Sequence, residues 1–527
     1  MIFSPKIWQE IIAFYGIGSD KLHPLLSLTT VSKAISHLAL DRLWQDVDTL
    51  ELLKHVINAQ APSPDMPIVT ELVKADSIRE GRYEERWVLL SPFNEDLKSR
   101  VRDYLSRIHS LKYSITSSSC RKESSFWRIL SLCTSSNTSL LPNLQSLHLS
   151  HTSQRREVID VSLLLPILSP SIQAIDIEDG KHDHSCINVR VLLNILWSCG
   201  CKPRKINIRA HPQPDTIQSI TIFPQLTALT FIPSPVPGLR NSSISVSDTL
   251  ASLPHLDYLM LNLQAYTPLQ PPEAITHKYL KTTCLVGEPQ DYEMFFRACR
   301  LPSLHSISVM LHNPIAIRWK SFFDGIAECC PALMEIRVVT LRLENAKSLC
   351  SDDIRSIFKL PLKVFKLKNI TFEFSAQEFD FMLSQWPKLR LLMFQYTTPR
   401  DSSSQKVPTY NATPLLPTIA KHSSLSGVVM GMDFQSLLDP GLLKGIVNFT
   451  SHSPLGILGI DVAANFPEEL VEMYILARNL LAIFPSLCVC YLGDDEGGGE
   501  GLKKRFIELQ RLIDLLKNEK VPSMEQG

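Results

Sequence analysis

An α/β repeat solenoid, preceded by a small all-α three-helix module, is the fold class this sequence predicts, and three observations predict it. A spelling of apolar residues, LxxLxL, returns along most of the 527 residues, and a fixed period decides architecture before any local pattern does. Between the copies, apolar residues recur at three- and four-residue spacing, the mark of one helical face. The first 50 residues carry helical spacing alone. The length agrees with stacking, because it exceeds what one ordinary core serves and the chain must grow by domains or by repeats.

Residues 1–50 read as short amphipathic helices. Ile7, Ile11, Phe14 and Tyr15 share one face; Leu25, Leu28, Val31, Ile35 and Leu38 share a second, after a turn through Gly16, Gly18 and Asp20; Leu43, Trp44 and Val47 begin a third. So little interior is not expected to stand alone, and this module should pack on a partner or on the repeats. Residues 51–104 are expected to be a helical linker and N-terminal cap.

The repeats are expected over residues 105–495. LPNLQSLHL sets Leu144, Leu147 and Leu149 two residues after Pro142; the same spelling gives Leu226, Leu229 and Phe231, then Leu256, Leu259 and Leu261, then Leu304, Ile307 and Val309. It continues with Leu333, Ile336 and Val338, with Leu362, Phe365 and Leu367, and with Leu389, Leu392 and Phe394. Weaker copies sit at Ile108, Leu111 and Tyr113; Ile172, Ile175 and Ile177; Ile206 and Ile208; Leu425, Val428 and Met430; Leu455, Leu458 and Ile460; and Leu487, Cys490 and Leu492. Successive first positions lie 30 residues apart from 226 to 256, 29 from 304 to 333 and from 333 to 362, and 27 from 362 to 389. The longer intervals, 48 from 256 to 304 and 36 from 389 to 425, contain QAYTPLQPPE and TTPRDSSSQKVP and read as repeats with surface insertions.

In each copy the last two apolar residues alternate with one polar residue, the period of a short strand with one face buried. Proline just ahead sets an extended entry where no backbone donor is needed. Helices are expected between strands at 187–200, ending on Gly200, at 319–330, and at 351–360 and 375–386 with Ser351 and Ser375 as N-caps. One strand and one helix cannot bury an apolar face alone, so neighbours must stack into a parallel sheet. Residues 496–527 open on a solvated loop, where Gly497 to Gly499 lie among Asp494, Asp495, Glu496 and Glu500, acids that would repel a phosphate. Leu502, Phe506, Leu509, Leu512, Ile513 and Leu516 then mark an amphipathic helix suited to cap the open end of the array.

Composition narrows the function. Lys+Arg and Asp+Glu are equal at 53 each, a balance that disfavours nucleic acid. The most apolar stretch, residues 470–484, is broken by Glu472, Arg478 and Asn479, too polar to span a bilayer. No secretory leader is read in the first ten residues, and twelve scattered cysteines point to reduced thiols in cytoplasm or nucleus. His182, Asp183, His184 and Cys186 with Cys199 and Cys201 match no zinc-site spacing and read as a loop before a helix, so no metal is expected. Motifs for serine hydrolysis, phosphate cradling, zinc proteolysis and dinucleotide binding are not read either. No catalytic residue and no cofactor is expected.

The repeats, covering residues 105–495, resemble the leucine-rich-repeat family in its longer-period, cysteine-containing kind, although the Asn or Cys that closes each segment in that family is mostly missing. The resemblance implies a horseshoe with the parallel sheet on its concave face. The N-terminal module resembles an F-box, through Phe3, Pro5 and Ile7, then Ile11 and Ile12, then Leu28, Val31 and Ser32, then Leu43 and Trp44. Ser4, Lys6 and Ile35 depart from its pattern. Together these resemblances imply a substrate receptor of a cullin-type ubiquitin ligase, as in the large fungal sets. The Skp-family adaptor would be bound by Pro5, Ile7, Ile11, Ile12, Leu25, Leu28, Val31, Leu43 and Trp44. A protein substrate would meet the concave-face residues that alternate with the buried leucines: Ser146, His148, Tyr258, Met260, Ser306, Ser308, Glu335, Arg337, Lys366, Lys368, Leu391 and Met393. The alternative is a protein-binding repeat scaffold, with no ubiquitin link, whose N-terminal helices cap the array.

Overall fold

A computed structural model of the chain describes residues 33–47, 68–74, 83–89, 95–115, 129–132, 139–151, 161–179, 187–210, 216–232, 246–265, 275–341, 348–396, 409–439, 454–464, 466–491 and 500–519. The chain forms two units: Met1–Leu256 with Ala265–Thr267, and Asp257–Gln264 with Pro268–Gly527. The division falls inside LPHLDYLML, one of the repeat segments.

The first unit opens with helix α1 (Lys33–Gln45) and strand β1 (Asp46–Val47). The helix runs without a break past Leu43 and Trp44, and Val47 pairs with Leu111. No third helix therefore begins at Leu43: nothing between Ile35 and Trp44 is a helix breaker, and Ile35 and Leu38 of the second expected helix share one described helix with Leu43 and Trp44. Arg107, 11% exposed at its side chain, fastens α1 by pairing with Asp41, donating to the His37 carbonyl at 3.3 Å and meeting Asp103 at 3.0 Å. The segment expected to be a helical linker instead holds an antiparallel hairpin, β2 (Ile68–Lys74) on β3 (Tyr83–Leu89), before helix α2 (Glu95–Ser106). Ile68, Val69 and Val73 are β-branched and Tyr83 and Trp87 aromatic, a composition that favours pleated backbone over helix.

Strands β4 (Ser110–Ile115), β5 (Ser146–His151), β6 (Ala174–Asp179), β7 (Lys205–Arg209) and β8 (Ala228–Phe231) come next, all parallel and adjacent in chain order. The register aligns the LxxLxL copies row upon row: Leu111, Leu147, Ile175, Ile206 and Leu229 form one buried rank and Tyr113, Leu149, Ile177, Ile208 and Phe231 the next. Between strands lie α3 (Val189–Ser198), α4 (Thr216–Thr221) and α5 (Val246–Ser252), with a 3-10 turn at Val161–Ile167. Helix α3 begins at Asn188, whose side chain accepts the Val191 amide, and ends as expected on Gly200. There φ is +75°, and the Gly200 and Cys201 amides bond back to Trp197 and Leu196, closing a Schellman turn.

The second unit repeats the plan with β9 (Tyr258–Asn262), β10 (Thr282–Gly287), β11 (Ser306–Leu311), β12 (Glu335–Thr340), β13 (Val364–Lys368), β14 (Leu391–Gln395), β15 (Gly427–Asp433), β16 (Ile457–Ala464) and β17 (Cys488–Tyr491). Two expectations are corrected. The 48-residue interval from 256 to 304 is not one repeat with an insertion: it contains the whole of β10, with Leu280, Thr283 and Leu285 in the three apolar positions. Thr283 hid the copy; it is fully buried, and its hydroxyl donates to the Leu259 carbonyl at 3.2 Å. In the last copy Val489 and Tyr491, rather than Cys490 and Leu492, align with Leu458 and Ile460. The entry to this strand is one residue shorter, and a one-residue slip exchanges the faces.

The described helices of this unit include α6 (Pro289–Ala298), α7 (Trp319–Cys329), α8 (Ala376–Gln385), α9 (Ala412–Lys421), α10 (Leu470–Ile483) and α11 (Glu500–Glu519). Their apolar faces meet the buried ranks of the sheet. Phe323 of α7 lies 6.5 Å from Phe365, Trp386 stands 5.2 Å from the same ring, and Tyr292 of α6 donates to the Met310 carbonyl at 2.7 Å. The expected helix at 351 is a 3-10 helix, Ser351–Lys359, capped by Cys350 with Asp353 rather than by Ser351. Ser375 caps α8 as expected, in a box with Glu378. Among the described residues no helix is long and apolar enough to cross a membrane.

Candidate functional site

Because helices cover one face of each unit's sheet, every second strand residue points to the other, open face. In the first unit the middle row there is polar. His148 Nδ1 lies 2.8 Å from Asp176 Oδ2, and Asn207 Nδ2 donates to Asp176 Oδ1 at 2.7 Å, so one carboxylate joins three neighbouring strands. Ser146, the other expected position, is half-buried beside Ala174. Asp176 and Asn207 were missed by sequence reasoning, although they stand in the weaker copies at the place His148 holds in its own; extending the alternation to those copies finds them.

In the second unit, Tyr258, Met260, Ser306, Ser308, Glu335, Lys366, Lys368, Leu391 and Met393 are half-buried and Arg337 is exposed, all on the open face. Strand register brings many of them together. Ser306 is opposite Glu335, Ser308 opposite Arg337, Arg337 opposite Lys366, and Lys366 opposite Met393. Ser306 Oγ donates to Glu335 Oε2 at 2.9 Å and Arg337 Nε to Glu335 Oε1 at 2.7 Å. Tyr258 and Met260 pair on their own strand, hydroxyl to sulfur at 3.7 Å. Burial, and secondarily the Arg337 charge, pushes the Lys366 ammonium below its ordinary pKa, with Glu335 opposing. The arrangement is a surface on which charged groups alternate with apolar ones.

A second set of residues, unmarked by the spelling, closes the strands. His151 Nδ1 lies 3.0 Å from Asp179 Oδ1, at side-chain exposures of 1% and 2%, and Asp179 Oδ2 accepts the Ile187 amide. In the other unit Asn369, at φ +62°, donates to the Thr340 carbonyl at 3.1 Å while Thr340 Oγ1 donates back at 2.6 Å. Each of these four residues stands two places after the last apolar position of its copy, where buried polar groups satisfy one another as the strand ends.

Of the expected adaptor residues, Pro5, Ile7, Ile11, Ile12, Leu25, Leu28 and Val31 lie outside the described residues, and Leu43 and Trp44 are described only as backbone of α1. His182, Asp183, His184 and Cys186 also lie outside them. Cys201 is buried, its thiol donating to the Ser169 carbonyl at 3.1 Å, and Cys199 is half-buried. Among the described residues no group of three metal-binding side chains comes together.

A solved leucine-rich repeat-containing protein from Legionella pneumophila, LegL7, is similar over 72% of this chain and 92% of its own, at 12% identity and a TM-score of 0.30. No family model and no curated protein matches the chain. The α/β repeat is read from the strand register, not from that likeness.

Proposed function

We propose that this chain is the substrate-recognition subunit of a cullin-type, Skp–cullin–F-box ubiquitin ligase, holding a protein substrate on the open face of its repeats and the Skp adaptor through its N-terminal helices. The observation that carries the protein-holding part is the strand register, which sets Arg337, Lys366 and Met393 side by side on three adjacent strands backed by helices. The adaptor part is supported by the F-box resemblance of residues 3–44. In this reading the chain does no chemistry: it raises the concentration of substrate near a ligase-bound ubiquitin carrier. The compartment would be cytoplasm or nucleus, where such ligases work.

Co-purification with a Skp-family adaptor tests it. Pro5→Ala, Ile7→Asp, Leu28→Asp and Val31→Asp together are expected to abolish adaptor capture while leaving the melting curve of the repeats unchanged. One observation favours the rival, an adaptor-free scaffold whose N-terminal helices are a cap: α1 is joined to the array by Arg107 and by the β1–β4 pairing. Capture that survives the four substitutions, or a melting temperature that collapses with them, supports the rival.

A further inference from the structure

We infer that the open face of the second unit takes an extended acidic segment of a protein, its carboxylates on Lys366 and Lys368 and a neighbouring apolar side chain on Leu391 and Met393. The inference rests on the protein-holding part of the proposed function and adds the chemistry of what is held. Charge comes first. Across the open-face positions of β9 to β14, the bases Arg337, Lys366 and Lys368 face a single acid, Glu335. That acid is already engaged by Ser306 and Arg337. Among the described residues, neither lysine makes a hydrogen bond or ion pair, and Lys366 stands directly opposite the Arg337 guanidinium. A carboxylate arriving there relieves like-charge repulsion on a partly dehydrated ammonium.

Spacing comes second. Lys366 and Lys368 are alternate residues of one strand, so their side chains rise about 6.7 Å apart, the same separation as alternate side chains of an extended peptide. Leu391 and Met393 occupy the next strand, opposite Val364 and Lys366, about 4.8 Å to the side. Leu391 has its place because Gly427 has no side chain: a Cβ there would lie 2.9 Å from Leu391 Cδ1, so the leucine lies across the glycine. Acid contacts and an apolar contact are thus one strand apart. A nucleic acid would offer anions too, but this strip pairs its bases with Leu391 and Met393 rather than with an aromatic stacking platform.

Panning a random displayed-peptide library against the full chain tests the assignment. Selected peptides are expected to carry Asp or Glu at alternate positions beside Leu, Met or Phe. A synthetic version should bind about fivefold more weakly for each lysine made neutral, in Lys366→Gln and Lys368→Gln. The double reversal Lys366→Glu with Lys368→Glu should lose binding further and regain it when the peptide's acids become Lys. Selection without acids, no selection, affinity indifferent to these substitutions, or tighter binding of a single-stranded oligonucleotide of equal length would each overturn it. Unchanged melting of the glutamine variants shows that any loss is not unfolding. Adaptor capture read on the same preparations separates the two readings: capture without acid selection sinks this inference alone, and acid selection without capture sinks only the ligase link.

Discussion

Single side chains in this protein do their work by satisfying backbone groups that the repeat leaves open, and Glu378 is the clearest case. Ser351 Oγ, the Ser375 amide and the Ser375 hydroxyl hold its carboxyl at about 2, well below the usual carboxylate range. A carboxyl lowered in the fold stabilises above its unfolded pKa, about 4.3, and the contribution is lost as pH falls through about 2. Glu378→Gln should therefore lower the unfolding free energy read by denaturant titration at neutral pH, by less than about 1 kcal/mol because the group is exposed, and the difference from wild type should vanish as pH falls through that window. A gap that persists in acid would mean that packing, not charge, holds this corner. Thr283 and the Thr340–Asn369 pair obey the same logic in the interior, where each polar atom meets a carbonyl of the adjacent strand.

At the scale of elements, the end of the array must cover a strand edge, since unpaired amides and carbonyls invite pairing with another chain. Helix α11 does this for β17. Phe506, Leu509 and Ile513 are buried, Gln510 Oε1 accepts the Val489 amide at 2.6 Å, and Lys517 Nζ donates to the Leu487 carbonyl at 2.6 Å. Gln510→Ala should cost about 1 kcal/mol by leaving that amide without its partner. Deleting residues 500–519 should cost far more and produce concentration-dependent aggregation, visible by light scattering. A truncated chain that stays monodisperse would show that the helix is an appendage rather than a cap. The interior helices are held by aromatic packing instead: Trp319, Phe322 and Phe323 on one turn of α7 contact one another, and Phe323 reaches Phe365 on the sheet.

For the whole molecule, burial sorts the thiols. Among the described cysteines, Cys201, Cys284, Cys299, Cys329 and Cys330 are buried and Cys350 and Cys488 exposed. Burial pushes the Cys201 thiol up to about 12 and raises Cys284 and Cys299, and a hydrogen bond with Cys329, followed by burial, raises Cys330. Thiolate is the reactive form, so these should resist alkylation until the chain unfolds, with Cys488 labelled first among the eight cysteines whose burial is described. Cys350 should lag, since partial burial and the Asp353 carboxylate both raise its pKa. Peptide mapping after native iodoacetamide treatment reads this site by site, and early labelling of Cys299 or Cys330 would contradict the packing of α6 against α7.

Periodicity carried most of the architecture, because a buried rank favours apolar side chains and so writes its spacing into the chain. Leu144, Leu226, Leu304, Leu333 and Leu389 each stand where the spelling put them, and alternation placed Arg337 and Lys366 on the open face. Three-dimensional neighbours settled what periodicity could not reach. Thr283 is a sheet residue because the Leu259 carbonyl lies within reach of its hydroxyl, and Val489 rather than Cys490 turns inward because its partner strand sets the register. Which charges are free depends likewise on who stands opposite: Glu335 is held by Ser306 and Arg337 from 29 and two residues away, and only the folded sheet brings them together.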